Sequence, residues 1–426
     1  MYWRVFWIFC LIFLFKNKEI RAQNATTLES SFQKAINHAP SSLISGLSKS
    51  ERDLFIKSLN TKYLPQLSLG AQATYQSETT GLDLSFPGIS IPRLTKDQYK
   101  IQLDASQVLY DGGIIATQKH IKNIVSDQEI AQANVDIEMI REQIIQVYFA
   151  ILETQSRIEI LELKKADLLA LQKKMEVGVE NGVILKSELK QLLVEQISVG
   201  QMQDEIKYIR SNQIQILNQL TNQNLDVNTI FEMPNQVLNN EKASISKPSL
   251  TLLELQKNQL SEMRNLDKSL NRPKLSLFAQ GGYGKPGLNF LKNEFATYFI
   301  GGIKLQWNLS NLYSNSKDNT VNLLQKDKIE VKRKAYLQQL DIKIATQQNE
   351  IDRLNAVMPN DLGIIALRSD IKKTAAIQLE NGTKTTSDYI LKLNDENEAI
   401  LNHRIHEIQA IKSSYLLQHH IGNYQK

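Results

Sequence analysis

Histidine is the residue type of this sequence whose spacing could support metal chemistry. His403 and His406 form an HxxH pattern on a predicted helix, and His419 and His420 follow near the end of that helix. Two imidazoles supply two ligands, whereas a zinc site needs three or four, and no cluster of acidic residues completes the set. We therefore interpret these histidines as solvated residues on a helix face, and we predict no metal and no other cofactor.

Sequence patterns typical of catalysis do not stand out. There is no Ser/His/Asp order and no isolated pair of acids. The stretch GGYGKPG at 281–287 is rich in glycine, but it ends a predicted strand and does not join a strand to a helix as a phosphate-binding loop does. The one cysteine, Cys10, lies in an N-terminal segment that we expect to be cleaved. The sequence therefore predicts a protein without enzymatic activity.

Long helical hairpins are predicted around two similar turns. The chain reads ENGVILKSEL from position 180 and ENGTKTTSDY from position 380. The 64 residues at 114–177 contain no glycine or proline. Their apolar residues recur mostly at three- and four-residue steps, which predicts an amphipathic helix with coiled-coil character, roughly 95 Å long. Each ENG is the predicted tip of an antiparallel hairpin, where glycine supplies the positive φ of the turn. Pro359 predicts a kink or local break in the second hairpin.

Four segments alternate between apolar and polar residues. They cover 66–76, 99–106, 274–283 and 299–309. This period of two predicts strands with one apolar and one polar face, at about the 9–11 residues that a tilted membrane strand needs. The alternative is an ordinary amphipathic sheet packed on a soluble core.

The strand pairs and hairpins form an internal duplication. The first and third strands open alike, with PQLSLGA at 65 and PKLSLFA at 273, and each strand pair leads into a long helical stretch. Every backbone N–H and C=O inside a bilayer must be paired, so a sheet that spans it must close. Four strands are too few for one barrel, since the smallest membrane barrels use about eight. Several copies of the chain must therefore pool their strands.

Composition argues against nucleic-acid binding and indicates export. Lys and Arg number 50 and Asp and Glu 45, for a net charge of +5, and the basic residues do not cluster with aromatic residues. Arg4 precedes an apolar run at 5–15 that is too short to span a bilayer but is typical of a signal-peptide core. We expect residues 1–22 to be a cleaved signal peptide.

The order of these elements resembles the TolC-type outer-membrane efflux proteins over nearly the whole chain after residue 22. The resemblance is carried by YLPQLSLGA, RPKLSLFA, LYDGG after the second strand, and the glycine-containing hairpin tips. It implies a mixed α and β membrane protein that forms a homotrimer. Four transmembrane strands from each subunit would build a 12-stranded barrel in the outer membrane, and the long antiparallel hairpins would form a periplasmic coiled-coil tunnel.

The function implied is a passive channel of a tripartite efflux or type I secretion system in a Gram-negative bacterium. A periplasmic adaptor (membrane fusion) protein and an inner-membrane pump of the RND, ABC or MFS type would open it from the periplasm to the exterior. A soluble periplasmic coiled-coil adaptor or structural protein remains an alternative. A stand-alone porin has no use for such long hairpins. The nature of the cargo is not indicated.

The resemblance also assigns residues to the hairpin tips and to the aperture they surround. Glu188 and Lys384 could latch neighbouring hairpins, and Asp388 carboxylates around a three-fold axis would favour cations. The alternative for these three residues is an ordinary solvated charge, worth under about 1 kcal/mol. The expected adaptor contacts are Gly178, Glu180, Asn181, Gly182, Glu380, Asn381 and Gly382. The expected membrane-interface aromatics are Tyr75, Tyr99, Tyr283, Tyr298 and Trp307.

The predicted organisation follows from these elements. After the signal peptide, the first repeat (23–220) contains an N-terminal helix, a strand pair at 66–110 and a hairpin at 113–220 with its tip at 178–184. A connecting segment at 221–249 follows. The second repeat (250–426) contains a helix at 250–271, a strand pair at 273–310 and a hairpin at 312–420 with its tip at 380–384.

Overall fold

The computed structural model describes residues 26–79, 94–235 and 246–422. The predicted signal peptide at 1–22 therefore lies outside the described residues, as do parts of the first strand-connecting loop and of the segment between the repeats.

Seven α-helices and four β-strands make up the regular structure of the described residues. In chain order they are α1 (Leu28–His38), α2 (Ser41–Thr61), β1 (Gln66–Tyr75), β2 (Asp97–Tyr110), α3 (Ile114–Glu180), α4 (Lys186–Thr221), α5 (Pro248–Leu270), β3 (Lys274–Lys285), β4 (Ala296–Gln306), α6 (Asn315–Glu380) and α7 (Thr386–Ile421), with a 3-10 turn at Ser310–Leu312 before α6. No helix in these ranges combines the length and the apolar character needed to cross a bilayer.

The chain divides into two compact units. One comprises residues 43–135 and 248–337 and contains the sheet. The other comprises the residues up to 42 together with 136–247 and 338–426, and it contains both hairpin tips.

The sheet is antiparallel, with strand order β1-β2-β3-β4. β1 and β4 lie at its two edges, and each pairs with a neighbour on one side only. The register aligns Leu69 with Leu103, Leu103 with Gly281 and Gly281 with Phe299. Because directly opposed residues share a face, most apolar positions of the four strands lie on one side of the sheet, whereas Phe278 and Ile300 lie on the other.

The two faces of the sheet differ in chemistry. On the apolar face, Leu69 is 72% exposed and Phe299 is 70% exposed, so no described residue covers them. On the other face, Gln102 hydrogen-bonds Asp104, and the Tyr298 hydroxyl lies 3.0 Å from Gln102 Oε1. An apolar face left open to solvent is costly, because burial of apolar surface stabilises a protein by about 25 cal/mol per Å².

The sequence LYDGG fixes the junction between β2 and α3. Asp111 accepts hydrogen bonds from the backbone N–H of Gly113 (2.8 Å) and Ile115 (2.6 Å), which caps the first turn of α3. Gly112 has a φ of +77°, and a Cβ at this position would lie 2.6 Å from the Ser269 carbonyl oxygen. Glycine is therefore required at this turn both by its backbone conformation and by the space available.

Two apolar cores hold the helical hairpins together. The first is built around Tyr148 and Phe149 of α3, and Phe231 packs edge-on against Tyr148. The Tyr148 hydroxyl lies 2.7 Å from the carbonyl oxygens of Thr26 and Glu232, and burial raises the pKa of this phenol. The second core lies near the tips and includes Leu168, Met175, Leu192, Tyr389 and Leu393, so α3, α4 and α7 all contribute to it.

The local break expected at Pro359 is wrong, whereas the kink expected there stays a prediction. α6 runs from Asn315 to Glu380 through this proline. Pro359 lacks the N–H that would bond the carbonyl of Asn355, and both residues are exposed. The freed carbonyl can therefore bind water, and the helix need not end there.

The interpretation of the histidines as solvated is also wrong. His419 and His420 are 5% and 4% exposed, and burial lowers their pKa values to about 3 and about 4. His403 and His406 are partly buried and both contact Asp361 of α6. These four residues lie where α7 packs against its neighbours, which the sequence of one helix does not reveal.

The predicted fold class is confirmed in its two main parts, which are long antiparallel helical hairpins and a four-stranded antiparallel sheet. The 12-stranded barrel built from the strands of three subunits stays a prediction.

Candidate functional site: the helical hairpin tips

The two hairpin tips have the same backbone conformation. In the first, the N–H of Asn181 donates to Val177 O and that of Gly182 to Val179 O; in the second, Asn381 donates to Ile377 O and Gly382 to Leu379 O. Gly182 has a φ of +73° and Gly382 a φ of +69°. Each ENG therefore ends a helix with glycine in the left-handed region, as the sequence predicted.

Gly178 serves the first tip in a different way. Its carbonyl oxygen accepts from the N–H groups of Val183 (2.9 Å) and Ile184 (3.1 Å). A Cβ at Gly178 would lie 2.5 Å from Ile184 Cδ1. The missing side chain therefore lets Ile184 fold back onto the end of α3. At the second tip Gln378 stands at the equivalent place, and its carbonyl oxygen accepts from the N–H of Thr383 at 2.9 Å.

Glu188 connects the two tips within one chain. Its Oε2 accepts a hydrogen bond of 2.7 Å from the backbone N–H of Thr386, the first residue of α7. A carboxylate at a helix N-terminus is favourable because the first N–H groups of a helix lack partners and the helix dipole is positive there. No ion pair joins Glu188 to Lys384 among the described residues. The predicted latch between neighbouring subunits stays a prediction.

Asp388 caps its own helix. It forms a capping box with Thr385, in which Thr385 Oγ1 accepts from Asp388 N and the Asp388 carboxylate accepts from Thr385 N. The hydrogen bonds from Thr385 hold the pKa of Asp388 below its usual value, and the nearby charges of Lys384 and Lys392 act in the same direction. Asp388, Lys384 and Lys392 line one groove of about 320 Å³ beside the second tip. If several copies of this groove surrounded one axis, Lys384 and Lys392 would lie beside each Asp388 carboxylate.

Two lysines that the sequence analysis did not single out also form ion pairs between helices of the hairpins. Lys174 of α3 lies 2.6 Å from Glu380 at the end of α6. Further from the tips, Lys372 of α6 lies 3.4 Å from Asp167 and 2.5 Å from the buried Glu396. Burial acts to lower the pKa of Lys372, but the hydrogen bond to Glu396 and the charge of Asp167 outweigh it and raise the pKa. These contacts join helices distant in sequence, so no local pattern indicates them.

The aromatic residues predicted at membrane interfaces lie mostly at the ends of the strands. Tyr99 and Tyr283 stack on Phe295 at one end of the apolar face, and Tyr75 at the same end is 79% exposed. Trp307 follows β4 at the opposite end and donates its indole N–H to Asn271 O at 2.9 Å. Tyr298 differs, because the register places it on the polar face beside Gln102.

No family model matches the sequence, and no curated protein matches it. Solved structures, in contrast, match over almost the whole chain. The outer membrane protein VceC from Vibrio cholerae superposes with a TM-score of 0.69 at 16% identity, covering 93% of this chain and 96% of VceC. The CmeC outer membrane channel of Campylobacter jejuni gives a TM-score of 0.69 at 13% identity, with coverage of 94% and 86%.

The open state of the MtrE outer membrane channel of Neisseria gonorrhoeae also matches, with a TM-score of 0.64 at 13% identity and coverage of 93% of this chain and 88% of MtrE. Identities this low establish the fold and leave individual residue roles open. The chain therefore has the fold of TolC-type outer-membrane channels, as the sequence predicted.

Proposed function

We propose that this protein is the outer-membrane channel of a tripartite efflux or type I secretion system in a Gram-negative bacterium. It acts as a passive homotrimer, and its hairpins extend into the periplasm. The proposal needs no catalytic residue, because the energy for transport comes from an inner-membrane pump. The match to solved outer-membrane channels supports this class of function.

The open sheet is the observation that carries the proposal. Among the described residues, β1 and β4 are paired on one side only, and none of these residues covers the apolar face. An open edge and an exposed apolar face are both unfavourable for an isolated sheet in water. The strands, of 10, 14, 12 and 11 residues, are long enough to cross a bilayer. Three copies joined edge to edge close a barrel and place the apolar face against lipid.

The hairpin tips are the proposed contact for a periplasmic adaptor, and through it for a pump. The exposed residues of the two ENG turns, including Glu180, Asn181 and Asn381, are available for this contact. Glu188, Lys384 and Asp388 then surround the aperture. The lysines beside Asp388 reduce any preference for cations, because they offset the carboxylate charge.

The test is the behaviour of the full chain extracted from membranes in detergent. We expect a complex with the mass of three chains that dissociates on heating, and discrete conductance steps when it is added to planar lipid bilayers. A chain that fractionates with soluble periplasmic proteins and forms no channels would instead support a coiled-coil adaptor, and the proposal would then be abandoned.

A further inference from the structure

Six charged residues lie in the four strands, and four of them are on the polar face of the sheet. The strand register determines the faces, because directly opposed residues share one. The four residues on the polar face are Lys100, Asp104, Lys274 and Lys304. Asp97 and Lys285 are on the apolar face at one end of the sheet, and they carry opposite charges. The polar face therefore has a net charge of +2 per chain, from three lysines and one aspartate.

Lys274 and Lys304 lie together at the end of the sheet that adjoins the helices. β3 begins at Lys274, shortly after α5, and β4 ends two residues beyond Lys304, before α6. Ser276 is directly opposite Lys304, so Lys274 is a diagonal neighbour of Lys304, at about 7–8 Å. Both side chains are exposed. Two ammonium groups this close repel each other, and an anion between them is favourable.

Lys100 adds a third positive charge nearer the opposite end of the sheet. Its Nζ lies 5.6 Å from the centre of the Tyr298 ring. A cation–π contact of this kind orients the side chain and leaves its charge unneutralised. The lysine is exposed, as are the two at the helix end. Positive charges therefore lie toward both ends of the polar face.

Asp104 is too distant to neutralise the three lysines. It lies four residues from Lys100 along β2, or about 13 Å, and the register places it four residues along β3 from the row of Lys304. The attraction between exposed charges this far apart is largely screened, because the Debye length is about 8 Å at physiological ionic strength. Asp104 is also half-buried and accepts a hydrogen bond from Gln102.

The charged groups beside the helix end of the sheet do not reverse this balance. Asp111, which follows β2, accepts hydrogen bonds from the N–H groups of Gly113 and Ile115 and caps α3. Arg272, which precedes β3, donates to Gly112 O at 3.3 Å and brings a guanidinium to the same turn. One acid and one base are thus added together, and the excess of lysine remains.

The groove beside the second hairpin tip has no excess of acid either. Two acids, Asp370 and Asp388, and two lysines, Lys384 and Lys392, line it. Their charges balance, so this groove does not favour cations over anions. The charge excess that could discriminate between solutes is therefore the one on the polar face of the sheet.

We propose that the interior of the barrel favours anions, so that the substrates of this channel are anionic solutes. The inference rests on the proposed function, in which the polar face of the sheet lines the barrel. Each of the three subunits would then contribute the same net charge of +2 to the water-filled path. Lysine side chains around a pore raise the local concentration of anions and lower that of cations.

The test measures the ion selectivity of the full chain, purified in detergent as the oligomer and inserted into planar bilayers of uncharged lipid. A KCl gradient of about 10 to 100 mM keeps the Debye length at about 30 to 10 Å, so that charges on the wall act across much of the pore. The zero-current potential gives the permeability ratio of Cl⁻ to K⁺. We expect Cl⁻ to be favoured at least about twofold, and the ratio to approach one near 1 M KCl.

Variants of single charges identify the face responsible. K274Q and K304Q should each move the ratio toward one, K274E/K304E should reverse the preference, and D104N should increase the preference for Cl⁻. The matched control is K285Q, which removes a lysine from the same strand as Lys274 but from the opposite face. K285Q should leave the ratio unchanged. The heat-dissociable oligomer on gels verifies that each variant is assembled.

The outcomes separate this inference from the proposed function. A channel that conducts but favours K⁺ overturns the anion preference and leaves the proposed function intact. So does a ratio that is unchanged in K274Q and K304Q, or one that changes equally in K274Q and K285Q. A chain that forms no channel contradicts the proposed function, and the anion preference with it.

Discussion

At the scale of single residues, the contact between Glu188 and Thr386 is the most direct link between the two hairpin tips. Glu188 follows the first tip, and its carboxylate accepts a hydrogen bond from the N–H of Thr386, which begins the helix after the second tip. A hydrogen bond to a charged group contributes about 1.5–3 kcal/mol. Breaking it leaves Thr386, which is buried, with an unpaired N–H. Glu188 therefore joins the two tips of the same chain, independently of any contact with a neighbouring copy.

We predict that E188A raises the single-channel conductance in planar bilayers, because the two tips of each subunit can then separate. The matched control is E180A, which removes an exposed glutamate from the same tip. E180A should leave the conductance unchanged.

The variant K384A distinguishes a contact within the subunit from a latch between subunits. If Glu188 acts only through Thr386, K384A should have little effect, and E188A/K384A should resemble E188A. A double variant that conducts more than E188A would indicate that Lys384 also restrains the aperture. Equal conductance of E188A and the unmodified channel would contradict a role of Glu188 in closure.

At the scale of elements, the C-terminal end of α7 is held by buried polar groups. Lys247, which precedes α5, pairs with Glu138 of α3 and donates to His419 O. Burial, followed by the charge of Lys247, lowers the pKa of His419, and burial likewise lowers that of His420. Both imidazoles are therefore neutral near pH 7 in the folded chain.

This arrangement predicts that the folded chain becomes less stable as the pH decreases below about 6.5. The unfolded chain begins to bind protons at these histidines near pH 6.5, whereas the folded chain does so only near pH 4 and pH 3. Their contribution is thus fully present above pH 6.5 and is lost as pH falls toward the folded values. One pKa unit corresponds to about 1.4 kcal/mol.

The measurement is the thermal unfolding temperature by circular dichroism between pH 7 and pH 4.5. The double variant H419Q/H420Q should lose less stability across this range than the unmodified chain. H38Q/H120Q, which changes two exposed histidines, should keep the original slope. Identical slopes for all three proteins would show that the buried histidines do not control the pH dependence.

The sequence predicts strands, helical hairpins and turns well when their residue pattern is local and periodic. The four strands, the two long hairpins and the glycines at Gly182 and Gly382 follow from alternation, helical spacing and the repeated ENG. The capping box of Thr385 and Asp388 could also have been identified from its spacing. The buried histidines, Lys174 and Lys372 could not, because their partners lie on helices far away in the sequence. The continuation of α6 through Pro359 could not be predicted either, because it depends on solvent access to one carbonyl group.

At the scale of the whole molecule, the sheet has two edges and one apolar face that no described residue covers, and the proposed assembly would cover both. Adjacent residues of β1 test this directly, because they lie on opposite faces. Leu69 lies on the apolar face opposite Leu103, and Ser68 lies on the polar face opposite Asp104. In the proposed barrel, Leu69 contacts lipid and Ser68 faces the interior.

We predict that L69K sharply reduces the heat-dissociable oligomer in the outer-membrane fraction, whereas S68K does not. A lysine on the lipid face of a membrane barrel costs about 2–4 kcal/mol per site near the bilayer midplane, and an assembly incurs this cost in every subunit. In S68K the lysine faces Asp104 and water. Equal amounts of oligomer in the two variants would mean that the apolar face does not meet lipid.

The two edges of the sheet are different surfaces, so in the proposed barrel β1 of one copy would pair with β4 of the next in a head-to-tail ring. A copy with a damaged β1 still has an intact β4 and can pair with one neighbour. Its β1 cannot pair with the other neighbour, so the barrel does not close. In a cell that makes both the intact chain and the chain with a damaged β1, one damaged copy would therefore inactivate an assembly made mostly of intact copies. Such a mutation would be genetically dominant.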